Sequence, residues 1–240
     1  MTAKELYQAG RLADAIQALA TELRDNPTDT RRRTFLFELL CFAGEYDRAE
    51  KHLAVLSDEG PDAATGALLY RAALAAERTR SDLFTKGEFP PAADAPPIRG
   101  TLNGQPFESL EDADPRIGPR LEVFAAGDYL WMPMVHISSI RMEAPSKLRD
   151  LLWASAWIVP SAAFEGKDMG EVMVPVLSPF SFRHADEAVR LGRSTVWEEQ
   201  DGGIPFGQKM LLVDGEDFPL LEVRSIEIAA AEPQANASAQ

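Results

Sequence analysis

Apolar residues recur three and four positions apart through the first third of the chain. From residue 100 onward they alternate instead. The first pattern predicts helices over residues 2–8, 12–25, 30–43, 46–57 and 62–79. Their inward positions include Leu6, Leu36, Phe37, Leu40, Tyr70 and Leu74. The second pattern predicts strands. TLNGQPF carries Asn103-Gly104, a strong hairpin signal. RLEVFAAGDYLWMPMVHISSIRME reads as two strands around Gly127, with Leu130, Met132 and Met134 alternating against Tyr129, Trp131 and Val135. KLRDLLWA reads as a pair of helical turns. EVMVPVLSP is a further strand, where Pro175 argues for an edge or a bulge. Residues 194–199, 207–214 and 219–228 complete a β-rich set, with Asp214-Gly215 as a turn.

The helical part repeats itself. Gly10, Ala15, Leu19 and Pro27 recur 34 residues later as Gly44, Ala49, Leu53 and Pro61. That is the period of a tetratricopeptide repeat, two antiparallel helices per unit. Glycine ends each first helix in a left-handed turn. Alanine lets the second helix cross closely, leucine fills the gap, and proline is expected to stop the second helix. The array holds about two and a half repeats, with residues 62–79 as a half-repeat cap. So short an array buries little apolar area, so it should lean on the C-terminal part of the chain.

The predicted fold class is therefore α+β. A tetratricopeptide-like helical unit over residues 1–84 precedes a Pro-rich connector over 85–99. A β-rich unit with short helices occupies 100–229, then a disordered tail over 230–240 whose residues are small and polar. Pro90, Pro91, Pro96 and Pro97 favour extended backbone with no packing of its own in the connector.

Charge narrows the partners. The chain of 240 residues carries a net charge of −14. Residues 1–80 hold 11 Lys/Arg and 13 Asp/Glu; the remainder holds 13 and 25. Such a chain repels phosphate backbones and anionic membranes. No apolar run reaches the ~20 residues of a membrane span, and MTAKELYQAG has no apolar secretion-signal core. A single cysteine, Cys41, allows no intrachain disulfide and fits a reducing compartment. The expected location is the cytoplasm.

Candidate chemistry is sparse, and no cofactor or metal is expected. His52, His136 and His184 lie in no metal-ligand spacing. His136 stands near Ser138 and Ser139, without the glycines of a nucleophile elbow. Glu111, Asp112 and Asp114 in LEDADPR lack the glycine and distal glutamate of a calcium loop, and read as a turn with solvated carboxylates. The competing enzyme or small-ligand reading places a site around Trp131, His136 and the Asp112/Asp114 loop.

The repeat face is more informative. Threading the period directs Tyr7, Arg31, Thr34, Glu38, Cys41, Phe42, Leu68, Ala72 and Ala75 toward the concave side. Small and apolar residues on the third first-helix suit an amphipathic partner helix laid in the groove. Arg31 and Glu38 would set its register by rim charge. The competing arrangement has the acidic C-terminal unit covering the groove.

The stretch GTLNGQPFESLEDADPRIGPRLEVFAAGDYLWMPM resembles the ImpE/TagJ family of type VI secretion accessory proteins. APSKLRDLLWASAWI, LGRSTVW at 191–197 and GQKMLLVDGEDFPLLEVRSIEI extend the resemblance across roughly residues 1–229. It implies a non-enzymatic cytoplasmic adaptor of the contractile sheath and its recycling ATPase, ClpV. The partner it implies is an N-terminal helix of the small sheath subunit. It supplies no catalytic residues. Residues 161–189 lack the glycine-rich, arginine- and tyrosine-bearing wording of relatives, so the surface there is expected to serve a different partner or none.

Overall fold

The computed structural model describes residues 1–91, 97–162, 164, 169–198 and 203–229. Five helices come first: α1 (Ala3–Gln8), α2 (Leu12–Asp25), α3 (Thr30–Phe42), α4 (Tyr46–Ser57) and α5 (Pro61–Lys86). Thr2 opens α1 with a capping box, its hydroxyl accepting from the Glu5 amide while the Glu5 carboxylate accepts from the Thr2 amide; this satisfies two orphan amides at once. Asp29 caps α3 through the Arg32 amide at 2.9 Å. Gly10 and Gly44 sit at φ 79° and 69° between helices, as the repeat requires. Ala15 and Ala49 are fully buried at the crossings, with Leu19 and Leu53 beside them.

Two features of the array differ from expectation. Pro61 does not stop α4, which ends at Ser57; it opens α5 as its first residue, where a missing N–H costs nothing. And α5 runs on to Lys86, because no residue before Gly87 breaks it; Gly87 then closes it at φ 67°.

Among the described residues, thirteen short strands come after α5, with one short helix, α6 (Glu187–Arg190). β1 (Gly100–Leu102) and β2 (Gln105–Phe107) form the hairpin expected at Asn103-Gly104. β4 (Arg120–Ala125) and β5 (Asp128–Pro133) turn at Gly127. A single turn of 3₁₀ helix over Met134–His136 then redirects the chain into β6 (Ile137–Met142), a third strand where two were expected. His136 therefore lies in that turn and not in a strand. Leu148–Leu151 makes one 3₁₀ turn, and Trp153 already begins β7 (Trp153–Pro160). These strands pair with β8 (Glu171–Pro175) and β13 (Ser225–Ile228) into one sheet, ordered β2-β1-β13-β6-β7-β8-β4-β5. β8 is thus interior, and Pro175 is tolerated because it is the strand's last residue, opposite Trp153. β3 (Leu110–Asp112), β11 (Met210–Val213) and β12 (Glu216–Pro219) form a second sheet, with the β11–β12 turn at Asp214-Gly215. β9 (Thr195–Glu198) and β10 (Ile204–Gly207) pair separately.

One apolar core lies within the β unit. The other joins the helices to Phe124, Leu152, Trp153 and Leu191. The array does lean on the β unit. The connector takes part as well: Phe89 stacks on Trp131 at 5.7 Å, the Pro90 carbonyl accepts from Arg120, and Ile98 is buried. Residues 92–96 and the tail over 230–240 lie outside the described residues. The 177–193 segment runs along the helix ends. Both Glu187 oxygens accept from the Leu12 and Ala13 amides at the start of α2. Arg193 donates to the Gln8 carbonyl and lies over the Tyr7 ring.

The two repeat glycines should respond differently to alanine. At Gly10 an added Cβ has room, 3.6 Å from the Arg193 guanidinium, so Gly10→Ala should cost only the left-handed backbone, about 1–2 kcal/mol. At Gly44 it would run into the Phe182 ring, adding about 1–3 kcal/mol of overpacking. Denaturant unfolding of both variants checks the order.

Candidate functional site

The concave face is only partly open. Cys41 and Phe42, expected to line it, are 3% and 0% exposed. They border a cavity of about 20 Å³ shared with Leu152, Trp153, Phe180 and Phe182 from the β unit. They are core residues and not groove residues, because the β unit supplies the apolar cover that two and a half repeats lack. Burial pushes the Cys41 thiol well up and leaves it inert. Tyr7 is half-buried between Phe35 and Arg193. Ala72 is half-buried against Gly127. Glu38 is half-buried near Arg149 and Asp150; burial, aided by Asp150 and opposed by Arg149, pushes its carboxyl up to about 7.

Four of the nine threaded residues stay exposed: Arg31, Thr34, Leu68 and Ala75. Leu68 is 66% exposed and its neighbour Leu69, which threading missed, 52%. Beside them opens a pocket of about 210 Å³ lined by Leu69, Tyr70, Ala72, Phe124, Trp153 and Met173, with Arg149 and Asp150 at its rim. The Tyr70 hydroxyl is buried there without a hydrogen-bond partner among the described residues. Arg149 lies 5.3 Å above the Tyr70 ring. This surface has an apolar floor and a charged rim.

What holds that surface in shape is a buried charge network that no sequence motif announces. Arg80 of α5 grips Glu122 of β4 through two hydrogen bonds of 2.7 Å. Lys209 reaches Glu122 at 2.6 Å and Asp112 at 2.6 Å. The Tyr129 hydroxyl donates to Glu122 at 2.5 Å, and the Trp131 indole N–H donates to Tyr129. On the other side Arg80 pairs with Glu77 at 3.6 Å, whose carboxylate accepts from the Trp153 indole at 3.0 Å. Three carboxylates face two cations, so the surplus negative charge has to be absorbed. Burial alone would raise Glu122, but Arg80 and Lys209 outweigh it and hold it well below the usual range. Burial pushes Asp112 up to about 6 against the pull of Lys209, and pushes Glu77 up as well. The Asp112/Asp114 loop is thus not a turn of solvated carboxylates. Asp112 and Asp114 are both buried, Asp114 on Arg116 at 2.5 Å. Trp131 is sandwiched between Phe89 and Arg120, and His136 stands against Phe164. The residues of the small-ligand reading do not converge on either cavity described above. A charged residue flanked by apolar ones, Glu122 in LEVFA or Lys209 in GQKMLLV, was the available signal.

Known proteins carry the same plan. A family model described as ImpE protein matches residues 104–227. This chain belongs to the ImpE family. A tetratricopeptide-repeat model matches residues 6–78 of this ImpE-family chain. The type VI secretion system accessory component TagJ of Pseudomonas aeruginosa is 33% identical over 95% of this chain and 91% of its own. The crystal structure of protein VPA1032 from Vibrio parahaemolyticus superposes with a TM-score of 0.82 at 20% identity, covering 95% of this chain and 97% of that one; it bears on the fold alone. The words that mark the ImpE resemblance here have structural jobs. Asn103-Gly104 is the β1–β2 turn, Asp112 to Arg116 anchors the charge network, Trp131 caps Tyr129, and Leu148–Leu151 forms the turn that carries Arg149 and Asp150.

Removing the hub carboxylate leaves two buried cations short of a partner. Glu122→Gln should cost about 3–5 kcal/mol in chemical denaturation. Asp112 sets a pH signature of its own. A folded value near 6 above the ordinary 3.8 means the folded state holds the extra proton between those values. Its contribution to stability is therefore full below 3.8 and is lost as pH rises through 6. Melting curves across the range from about pH 4 to about pH 7 should show this component in the native chain and lose it in Asp112→Asn.

Proposed function

We propose that this ImpE-family chain is a non-enzymatic cytoplasmic adaptor of a bacterial type VI secretion machine. It binds a helix of the small sheath subunit and links the contractile sheath to its ClpV-type recycling ATPase, with neither nucleic acid nor membrane as a partner. The accessory role of the TagJ relative supports the setting. The observation that carries the binding mode is the pair Leu68 and Leu69, exposed on α5 beside an apolar pocket. An amphipathic helix laid over the open part of the concave face buries both leucines and meets Ala72 and Ala75, whose small side chains allow close approach. Arg31 and Thr34, both exposed on α3, would form the rim that the partner helix meets. Among the described residues no helix is long and apolar enough to cross a membrane. Ordering a partner helix is costly, so the affinity is expected on the order of micromolar.

Pull-down of the small sheath subunit from the native bacterial cytoplasm tests the reading. The full chain should retain it, and Leu68→Glu with Leu69→Glu should lose it while melting normally. Retention by the folded double variant overturns the site; no retention by the native chain overturns the role. Glu38 adds a second check. A partner that covers it disfavours its charged form, so binding should be tighter at about pH 6 than at about pH 8, and Glu38→Gln should flatten that difference in a titration.

A further inference from the structure

The eight-stranded sheet keeps one face bare beyond α5. Along β7, Ala154, Ala156 and Ile158 point into the core, while Ser155, Trp157 and Val159 point out. Trp157 is 53% and Val159 45% exposed. A row crosses the sheet there: Ser225 lies opposite Arg141, Arg141 opposite Trp157, and Trp157 opposite Glu171. Three interstrand steps make it about 14 Å long. The row floors a cleft of about 650 Å³, walled by the 143–147 loop and by Leu221 and Arg224.

The cleft's charge runs against that of the chain. Arg141, Lys147 and Arg224 are exposed around it, and among the described residues none has a carboxylate partner. In a chain with 38 acidic and 24 basic residues, three unpaired cations about one cleft stand out. Arg224 is held in place by donating to the Leu221 and Val223 carbonyls. Asp150 is occupied by the Ser146 and Lys147 amides of its own turn. Glu143 and Glu171 are the remaining carboxylates of the lining, both exposed.

We propose that this cleft binds an acidic peptide segment of a partner protein, bearing an aromatic or apolar side chain that covers Trp157. The cations come from three separate places, β6, the 143–147 loop and the approach to β13. That spread matches several carboxylates along an extended chain better than one compact anion. A polyphosphate backbone is disfavoured by the net charge of −14. The site does not depend on the α5 helix reading, although Arg149, Asp150, Ser155 and Glu171 border both cavities.

Fluorescence anisotropy of the full chain with a fluorescein-labelled EEFEELE peptide tests this. Binding should weaken with added salt, and the KKFKKLK peptide should not bind. Arg141→Glu with Arg224→Glu should weaken EEFEELE binding by at least ~10-fold. Trp157→Ala should weaken it also, and Lys51→Glu, a control on the exposed face of α4, should not. All four positions are exposed, so melting curves should stay unchanged. Equal binding of both peptides, or unchanged binding by the folded double variant, overturns the proposal. So does displacement by inorganic phosphate beyond that by chloride at matched ionic strength, which would mark a simple anion site.

Discussion

Everything in this molecule turns on where Glu122 finds its charge partners. It is wholly buried on β4, and its carboxylate can be satisfied only if Arg80 arrives from α5 and Lys209 from the segment before β11. Three parts of the chain far apart in sequence must therefore meet at one point. Any slip of the helical array against the sheet would leave a charge buried alone, which costs far more than the network yields when complete. The hub thus favours one docking over its neighbours. The aromatic layer around it adds area without that discrimination: Phe84 and Phe89 against Trp131, and Tyr70 against Trp153.

That docking decides what kind of groove is left. In a longer repeat array the concave face is free along its whole length. Here the C-terminal halves of α3 and α5 are consumed by the fold, with Cys41, Phe42, Glu77 and Arg80 all facing the β unit. The N-terminal halves stay exposed at Thr34, Leu68 and Leu69. A short array pays for its stability in accessible surface. The exposed leucines mark the part of the face that the fold did not need to cover.

The first four helices were legible in the sequence to within a residue or so, because a 34-residue period fixes both register and crossing points, while the last runs seven residues past its expected end to Lys86. Gly44, Ala49 and Leu53 each perform the task their residue type implies. The sheet was legible in its turns and less so in its strands. β6 and β7 escaped because each follows a single 3₁₀ turn, Met134–His136 and Leu148–Leu151, whose own residues include neither Gly nor Pro and continue the apolar pattern. The candidate site was half legible. Periodicity tells which face of a helix a residue occupies, so Cys41 and Leu68 looked alike. It carries no information on which part of that face a later segment will cover. The charge network was invisible for a related reason. Arg80, Glu122 and Lys209 are ordinary charged residues until topology brings them together.

The same logic explains why an acidic chain can carry a cation-lined cleft without contradiction. Charge acts over about 8 Å at physiological ionic strength, so a partner reads the local surface and not the total. Inside the core the surplus negative charge is absorbed by raising Asp112 and Glu77. On the bare sheet Arg141 and Arg224 stand without a carboxylate partner among the described residues. A net charge of −14 then works as a filter. It disfavours polyanions over most of the surface, while the proposed cleft offers a short acidic segment cations and an exposed indole together. A chain with an apolar pocket and a cationic cleft bordering the same turn, Leu148–Leu151, has two chemically distinct surfaces set side by side in one fold. Two weak contacts in a fixed geometry can hold a partner more tightly than either alone, provided the hub at Glu122 keeps α5 and the sheet from moving apart.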